Sequence, residues 1–253
     1  MTFKIISLNL WWGGKLLPGI LDFLRAEDAD VLALQEVYDG REPGLDDRYR
    51  SVQVLRAALP YQYLAYAQAF IHDSSVGKLP NGNAVFSKFP IIARSARFLT
   101  KPSREVYQDV AEQWPIFPRV LQQVQLDTPA GELNVFNMHG VWDIDGDNPS
   151  PARLKMSEII INGTKDKPSV VLTGDTNAKP TNPAMRAIEA HLNSVFDDRL
   201  KSTFNMRRKT NPGYATAAVD LMYVSPNIRV ISAECPTVDI SDHLPLVVSL
   251  DIA

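Results

Sequence analysis

The sequence predicts an α/β protein with a core of two β-sheets covered by helices. Three observations lead there. Short apolar runs rich in β-formers recur along the chain, several of them are too apolar for a one-sided sheet, and helical spacings lie between and outside them. "FKIISLNLW" and "DVLALQEV" are two such runs, and they bracket "LPGILDFLRAEDA". Within that bracketed segment Leu16, Leu17, Ile20, Leu21 and Leu24 follow helical spacing. Further strands are expected at 61–70, 83–87, 91–98, 119–127, 132–139, 169–175, 218–224, 228–233 and 244–251. Ser150 with Pro151, and Asn182 with Pro183, read as helix starts: a side-chain cap followed by a proline whose missing N–H costs nothing there. No repeat, low-complexity tract or Gly/Ser linker divides residues 1–253, so one domain is expected.

Bulk properties exclude some roles. Hydrophobic residues make up 45% and charged residues 22%, ordinary for a globular chain, and the net charge is −3. That is not the field of a protein built mainly to grip nucleic acid. One cysteine, Cys235, cannot form an intramolecular disulfide. The N-terminus lacks a secretory pattern, and no apolar run approaches the roughly 18 residues that span a bilayer. A cytoplasmic monomer is the expectation.

The informative residues stand at strand ends. "IISLN" ends on Asn9, "VLALQE" on Gln35 and Glu36, "LNVFNMH" on His139, and "VVLTGDTN" on Asp175 and Asn177. Asp220 heads "DLMYV", and Asp242 and His243 precede "LPLVVSLDI". Each has an ordinary structural role open to it: a turn, a first solvated residue, a satisfied histidine. Together they put the same polar types at the same kind of position, and α/β sheets bind ligands beyond their strand ends. If they converge, Asn9, Glu36, Asp175, Asn177 and Asp242 offer oxygen donors that suit Mg²⁺ or Mn²⁺. Asp220 can fix the ring of His243 and stabilise its cation. Such a set suits attack of water on phosphorus.

In that order and spacing, "SLNLW", "LQEV", "NMHG", "GDTNA", "VDLMYV" and "SDHLPLV" resemble the endonuclease/exonuclease/phosphatase superfamily from Asn9 to Asp251. The resemblance implies a four-layer sandwich of two mixed β-sheets flanked by helices. It also implies a metal-dependent hydrolase of phosphate esters, foremost a phosphodiesterase or nuclease. A phosphomonoesterase, a sphingomyelinase-like enzyme and a silent scaffold are the alternatives. Residue by residue, Glu36 resembles the principal metal ligand, with Asn9 and Asp242 close to the ion. Asp175 resembles the carboxylate that orients or deprotonates water, and Asn177 an amide on a phosphate oxygen. His243 paired with Asp220 resembles the charge-stabilising histidine, and His139 the second histidine near the phosphate. Arg119 resembles an arginine aimed into the site, with a solvated edge-strand position as its alternative.

The inositol-phosphatase branch is disfavoured, because "ATAAVDLMY" and "GDTNAKP" lack its Trp-Cys-Asp-Arg stretch and the arginine after the GD-x-N core. No glutamate partner for His139 is identifiable between residues 61 and 112. Arg199, Lys201, Arg207, Arg208 and Lys209 read either as a basic lip for a phosphate backbone or as a solvated loop beside Asp197 and Asp198. Trp11 and Trp12 are candidates to stack on a substrate ring or to pack in the core.

Overall fold

The computed structural model describes residues 1–143 and 148–252. Its core is two mixed sheets. One contains β1 (Thr2–Asn9), β2 (Val31–Tyr38), β3 (Tyr63–Ser74), β4 (Gly77–Ser87), β6 (Val106–Tyr107), β12 (Ile228–Glu234) and β13 (Leu246–Ile252), in the order β12-β13-β1-β2-β4-β3-β6. The other contains β5 (Ile91–Phe98), β7 (Val120–Thr128), β8 (Gly131–His139), β9 (Val170–Asp175), β10 (Asn193–Ser194) and β11 (Asp220–Val224), in the order β10-β11-β9-β8-β7-β5. Near the middle of each lies one parallel pair, β1 with β2 and β8 with β9. A parallel pair needs a crossover, and α1 (Leu17–Glu27) and α3 (Pro151–Thr164) supply the two.

Side-chain alternation builds the layers. From β1, Phe3 and Ile5 face inward, where they meet Val124, Leu133, Val135 and Val171 of the opposite sheet. Ile6, Leu8 and Leu10 face outward and pack against Ile20 and Leu24 of α1 and against Val52 and Leu55 of α2 (Ser51–Ala58). On the far side Phe136, Met138, Val170 and Leu172 pack against Met156 and Ile160 of α3 and against Met185 and Ile188 of α4 (Pro183–Glu189). The order is helix, sheet, sheet, helix, as the resemblance implies. No helix among the described residues is long and apolar enough to cross a membrane.

Local signals place the helix starts. The Ser150 side chain accepts from the Arg153 N–H, and that of Asn182 from the Ala184 N–H. Strand β4 begins at Gly77, six residues before the expected 83. Gly77, Pro80 and Gly82 read as breakers, yet Ser74 pairs with Gly77 to close a tight hairpin and Gly82 lies where a Cβ would meet the Ala67 carbonyl at 2.0 Å. Helix α2 and the two-residue strands β6 and β10 lie outside the expected set, and Arg119 sits one residue before β7.

Candidate active site

Strands of both sheets and the loop before β13 meet at one end of the sandwich. In the second sheet His139, Asp175 and Asp220 stand abreast, since His139 pairs with Asp175 and Asp175 with Asp220. The approach is close. At Gly140 a Cβ would lie 2.2 Å from the Thr176 carbonyl, and at Gly174 (φ +139°) it would lie 2.0 Å from that of Met138. Only glycine fits at either position.

The first sheet brings Asn9 and Glu36. The pairing of β2 with β4 slips between Leu34 and Val37, and Glu36 takes φ 56° inside that slip. Glu36 Oε2 accepts the Trp12 N–H at 2.6 Å, and Oε1 accepts from Asn9 Nδ2 at 3.2 Å. The same Asn9 amide nitrogen donates to Asp175 Oδ2 at 3.1 Å, so Asn9 ties the two carboxylates across the sheets. Trp11, Trp12 and Asn177 also have positive φ, a left-handed conformation that costs a non-glycine residue free energy.

His243 comes from the loop before β13. Its Nδ1 lies 2.8 Å from Asp220 Oδ2 and its Nε2 3.8 Å from Asp175 Oδ2. Burial alone would lower its pKa, but Asp220 and Asp175 outweigh burial and push it up to about 10. His243 is therefore an imidazolium. His139 is the opposite case: burial first, then the neighbouring Arg119, hold its pKa well below the usual value. Arg119 Nη1 donates to its Nε2 at 2.7 Å. Arg119 is 8% exposed and lines the cleft, so its solvated alternative is set aside. Asp175 Oδ2 also lies 3.5 Å from His139 Nε2, and among the described residues no glutamate pairs with this histidine.

Asn177 receives strong local support. Its N–H donates to Asp175 Oδ1 at 2.9 Å, its side chain donates to the Gly140 carbonyl at 3.1 Å, and its carbonyl accepts from buried Arg153 at 2.7 Å. Asp242 is fixed beside β1, because Ser241 Oγ donates to the Asn9 carbonyl at 2.7 Å.

Of the basic stretch, Lys209 alone lines the cleft among the described residues, with Nζ 2.8 Å from Asp242 Oδ2. Arg208 pairs with Asp239, and Arg199 donates to the Val195 and Phe196 carbonyls. Both tryptophans are half-buried and face the cleft, which has a volume of about 330 Å³. Asn81 escaped sequence reasoning. It is 3% exposed, lines the cleft, and leaves its Nδ2 without a hydrogen-bond acceptor. Its only sequence signal was the alternation Asn81-x-Asn83 on an inward face.

Two groups could hold a cation. Ligand atoms of Asp175, Asp220 and His243 lie within 4.8 Å of one another. A protonated His243 offers two N–H donors and no lone pair, so in that state it does not ligate an ion in that cluster. Glu36 and Asp242 differ. Burial first, and then the Asp242 charge, raise the Glu36 pKa, and Lys209 pairs with Asp242. An oxygen-rich pair of carboxylates fits a hard divalent ion.

Comparison places this architecture. The chain matches the model of the Endonuclease/Exonuclease/phosphatase family over residues 6–243 and belongs to that family, whose members are phosphoester hydrolases and generally depend on divalent metals. A family protein from Bacteroides vulgatus is similar in structure, with a TM-score of 0.77, 18% identity and 100% coverage of both chains. A mannosyl-6-phosphatase from Bacteroides thetaiotaomicron has a TM-score of 0.74 at 19% identity, covering 99% of this chain and 100% of its own. The human Nocturnin catalytic domain, solved with bound sulfate, gives 0.72 at 18%, covering 100% and 95%. At such identities the likeness is one of fold. Comparison with curated proteins finds no match.

Proposed function

We propose that this chain hydrolyses phosphate esters, foremost phosphodiesters such as those of a nucleic acid, with Mg²⁺ or Mn²⁺ held at Glu36 and Asp242. Asn9 stands close to the ion and fixes Glu36 against Asp175. When bound, the ion draws charge from the phosphoryl oxygens and orients the phosphate. Asp175 orients water and accepts its proton. Burial raises its pKa, which makes it a better base than a solvated aspartate. The His243 imidazolium, held by Asp220, stabilises negative charge growing on the phosphoryl oxygens. Arg119, with His139 beside it, grips a phosphate oxygen, and the second amide N–H of Asn177 reaches another. Because these groups come from both sheets and from the loop before β13, residues 1–253 act as one domain.

The observation that carries this reading is buried His243 set between Asp220 and Asp175 in the lining of the cleft that Glu36 and Asp242 share. Turnover of bis-p-nitrophenyl phosphate with and without EDTA tests it. Metal-independent turnover, or none on any ester, would overturn it. Glu36→Gln should weaken Mg²⁺ binding and activity together, because it removes a formal charge from a hard-cation site. Activity lost at unchanged metal affinity would remove Glu36 from the ligand set. A monoester is the competing substrate, since one structural neighbour is a mannosyl-6-phosphatase. Rates on matched mono- and diesters separate the two.

A further inference from the structure

Asn81 lines the cleft beside the catalytic groups, two residues beyond Asn83 on the same face of β4. The Asn83 amide donates to the Val120 and Asn137 carbonyls. Asn81 instead has Tyr38 opposite it on β2 and Phe70 opposite it on β3. Phe70, Phe117 and Trp12 line this flank of the cleft, with the Phe70 and Phe117 rings 4.8 Å apart and those of Trp12 and Phe117 6.2 Å apart. None of these three side chains offers an oxygen or nitrogen that could accept an amide N–H. Among the described residues, Asn81 is the one buried asparagine whose side chain makes no hydrogen bond.

An unpaired buried amide costs free energy that a hydrocarbon of the same shape would not. Nothing in the packing requires it, so its use lies in the cleft. We propose that Asn81 is a substrate-binding residue that selects for a hydrogen-bonding edge on a flat ring of the ester, a nucleobase, lying against the Trp12, Phe117 and Phe70 flank. The amide nitrogen is sealed off, and the oxygen, also unbonded, is the half that reaches the cleft. A phosphoryl oxygen is an acceptor and cannot pair with that oxygen. A base edge carries N–H beside C=O, so it pairs with the amide in this orientation or after a half-turn. The proposal rests on the hydrolase reading and adds a residue that reads the organic part of the ester.

Two substrates that differ only in that edge test it. One is thymidine 5′-(p-nitrophenyl phosphate); the other carries 2,4-difluorotoluene in place of thymine, which keeps the shape and removes the hydrogen-bonding groups. With Mg²⁺ present, the wild-type chain should favour the thymine ester about tenfold in kcat/KM, because a site that bonds a polar group rejects the analogue that leaves its own group unpaired. Asn81→Leu and Asn81→Ala should each bring that ratio to about one, and Asn81→Leu should unfold at no lower temperature than the wild type, since it removes only an unpaired amide. Equal wild-type rates on the two esters, the result if the amide meets a sugar hydroxyl instead, would overturn the assignment. So would a ratio kept in either variant, or a lower unfolding temperature for Asn81→Leu, which would make the amide structural. If neither ester is turned over the hydrolase reading fails, while calorimetric titration of the two corresponding 5′-monophosphates into the same three chains still decides the role of Asn81.

Discussion

Between the same two sheets the interior changes character from one end of the strands to the other. Inward positions run Phe3, Ile5, Ser7, Asn9 along β1 and Leu133, Val135, Asn137, His139 along β8. The far end is aliphatic, the cleft end is ionisable, and a band of neutral amides separates them. In that band Asn137 donates to Gln122 Oε1 and to the Leu34 and Ala84 carbonyls, Gln35 donates to Asn137 Oδ1 at 2.7 Å, and Asn83 donates to the Val120 and Asn137 carbonyls. The two ends use one backbone pattern and opposite chemistry. The aliphatic end gains free energy on burial, whereas the ionisable end gives up solvation to hold charges in place. The amide band lets them coexist, because its hydrogen bonds lock the strand termini without setting a carboxylate against hydrocarbon.

Substitutions at each level sharpen that contrast. The largest effect belongs to the charged end. His243→Ala should cost about 10²–10⁴-fold in kcat/KM on a diester, Asp220→Asn less, and the double variant well below the product of the two. Strictly multiplicative losses would mean that the pair acts independently. At the aliphatic end Leu250→Ala should cost about 2–5 kcal/mol in denaturant unfolding while kcat is retained. A matching fall in kcat would erase the distinction between the ends. Asn137→Leu, in the band, should cost about 1–3 kcal/mol by stripping Gln122 of its donor, and should lower activity as well.

The two histidines predict pH limbs of opposite sign. His243 has a folded pKa raised above its unfolded value, so its contribution to stability is complete below about 6.5 and is lost as pH rises toward 10. His139 has a depressed folded pKa, so its contribution is present above about 6.5 and is lost on acidification. Thermal unfolding across pH 5–10 should therefore lose its alkaline slope in His243→Asn and part of its acid slope in His139→Gln, each slope being at most about 1.4 kcal/mol per pH unit. The smallest effect belongs to Lys209→Met. Removing its pairing with Asp242 should tighten Mg²⁺ binding a few-fold by calorimetry, the worth of a part-exposed pair of about 0.2–1 kcal/mol.

Regular strands and helix caps were legible in sequence because period and capping chemistry are local. The nine strands expected beyond the opening pair all form, and both proline-marked helices start at their caps. The β3–β4 hairpin was hidden because Gly77, Pro80 and Gly82 look like breakers until close strand approach requires them. The polar strand ends were visible as types and do gather in one place. What sequence could not give was their pairing: that Asn9 bridges Glu36 and Asp175, that Arg119 hydrogen-bonds His139, and that Lys209, among the five basic residues within 199–209, lines the cleft. Those are long-range contacts with no periodic signature.

Four of the seven non-glycine residues with positive φ among those described line the cleft: Trp11, Trp12, Glu36 and Asn177. For anyone engineering this chain, that clustering sets a trap. A selection for heat resistance would reward Glu36→Gly and Asn177→Gly, since glycine adopts those angles without penalty. Each such winner would discard a side chain assigned to ion or phosphate. Survival at high temperature and turnover should therefore be screened together, because at these four positions the backbone relaxes most readily where the chemistry can least spare the side chain.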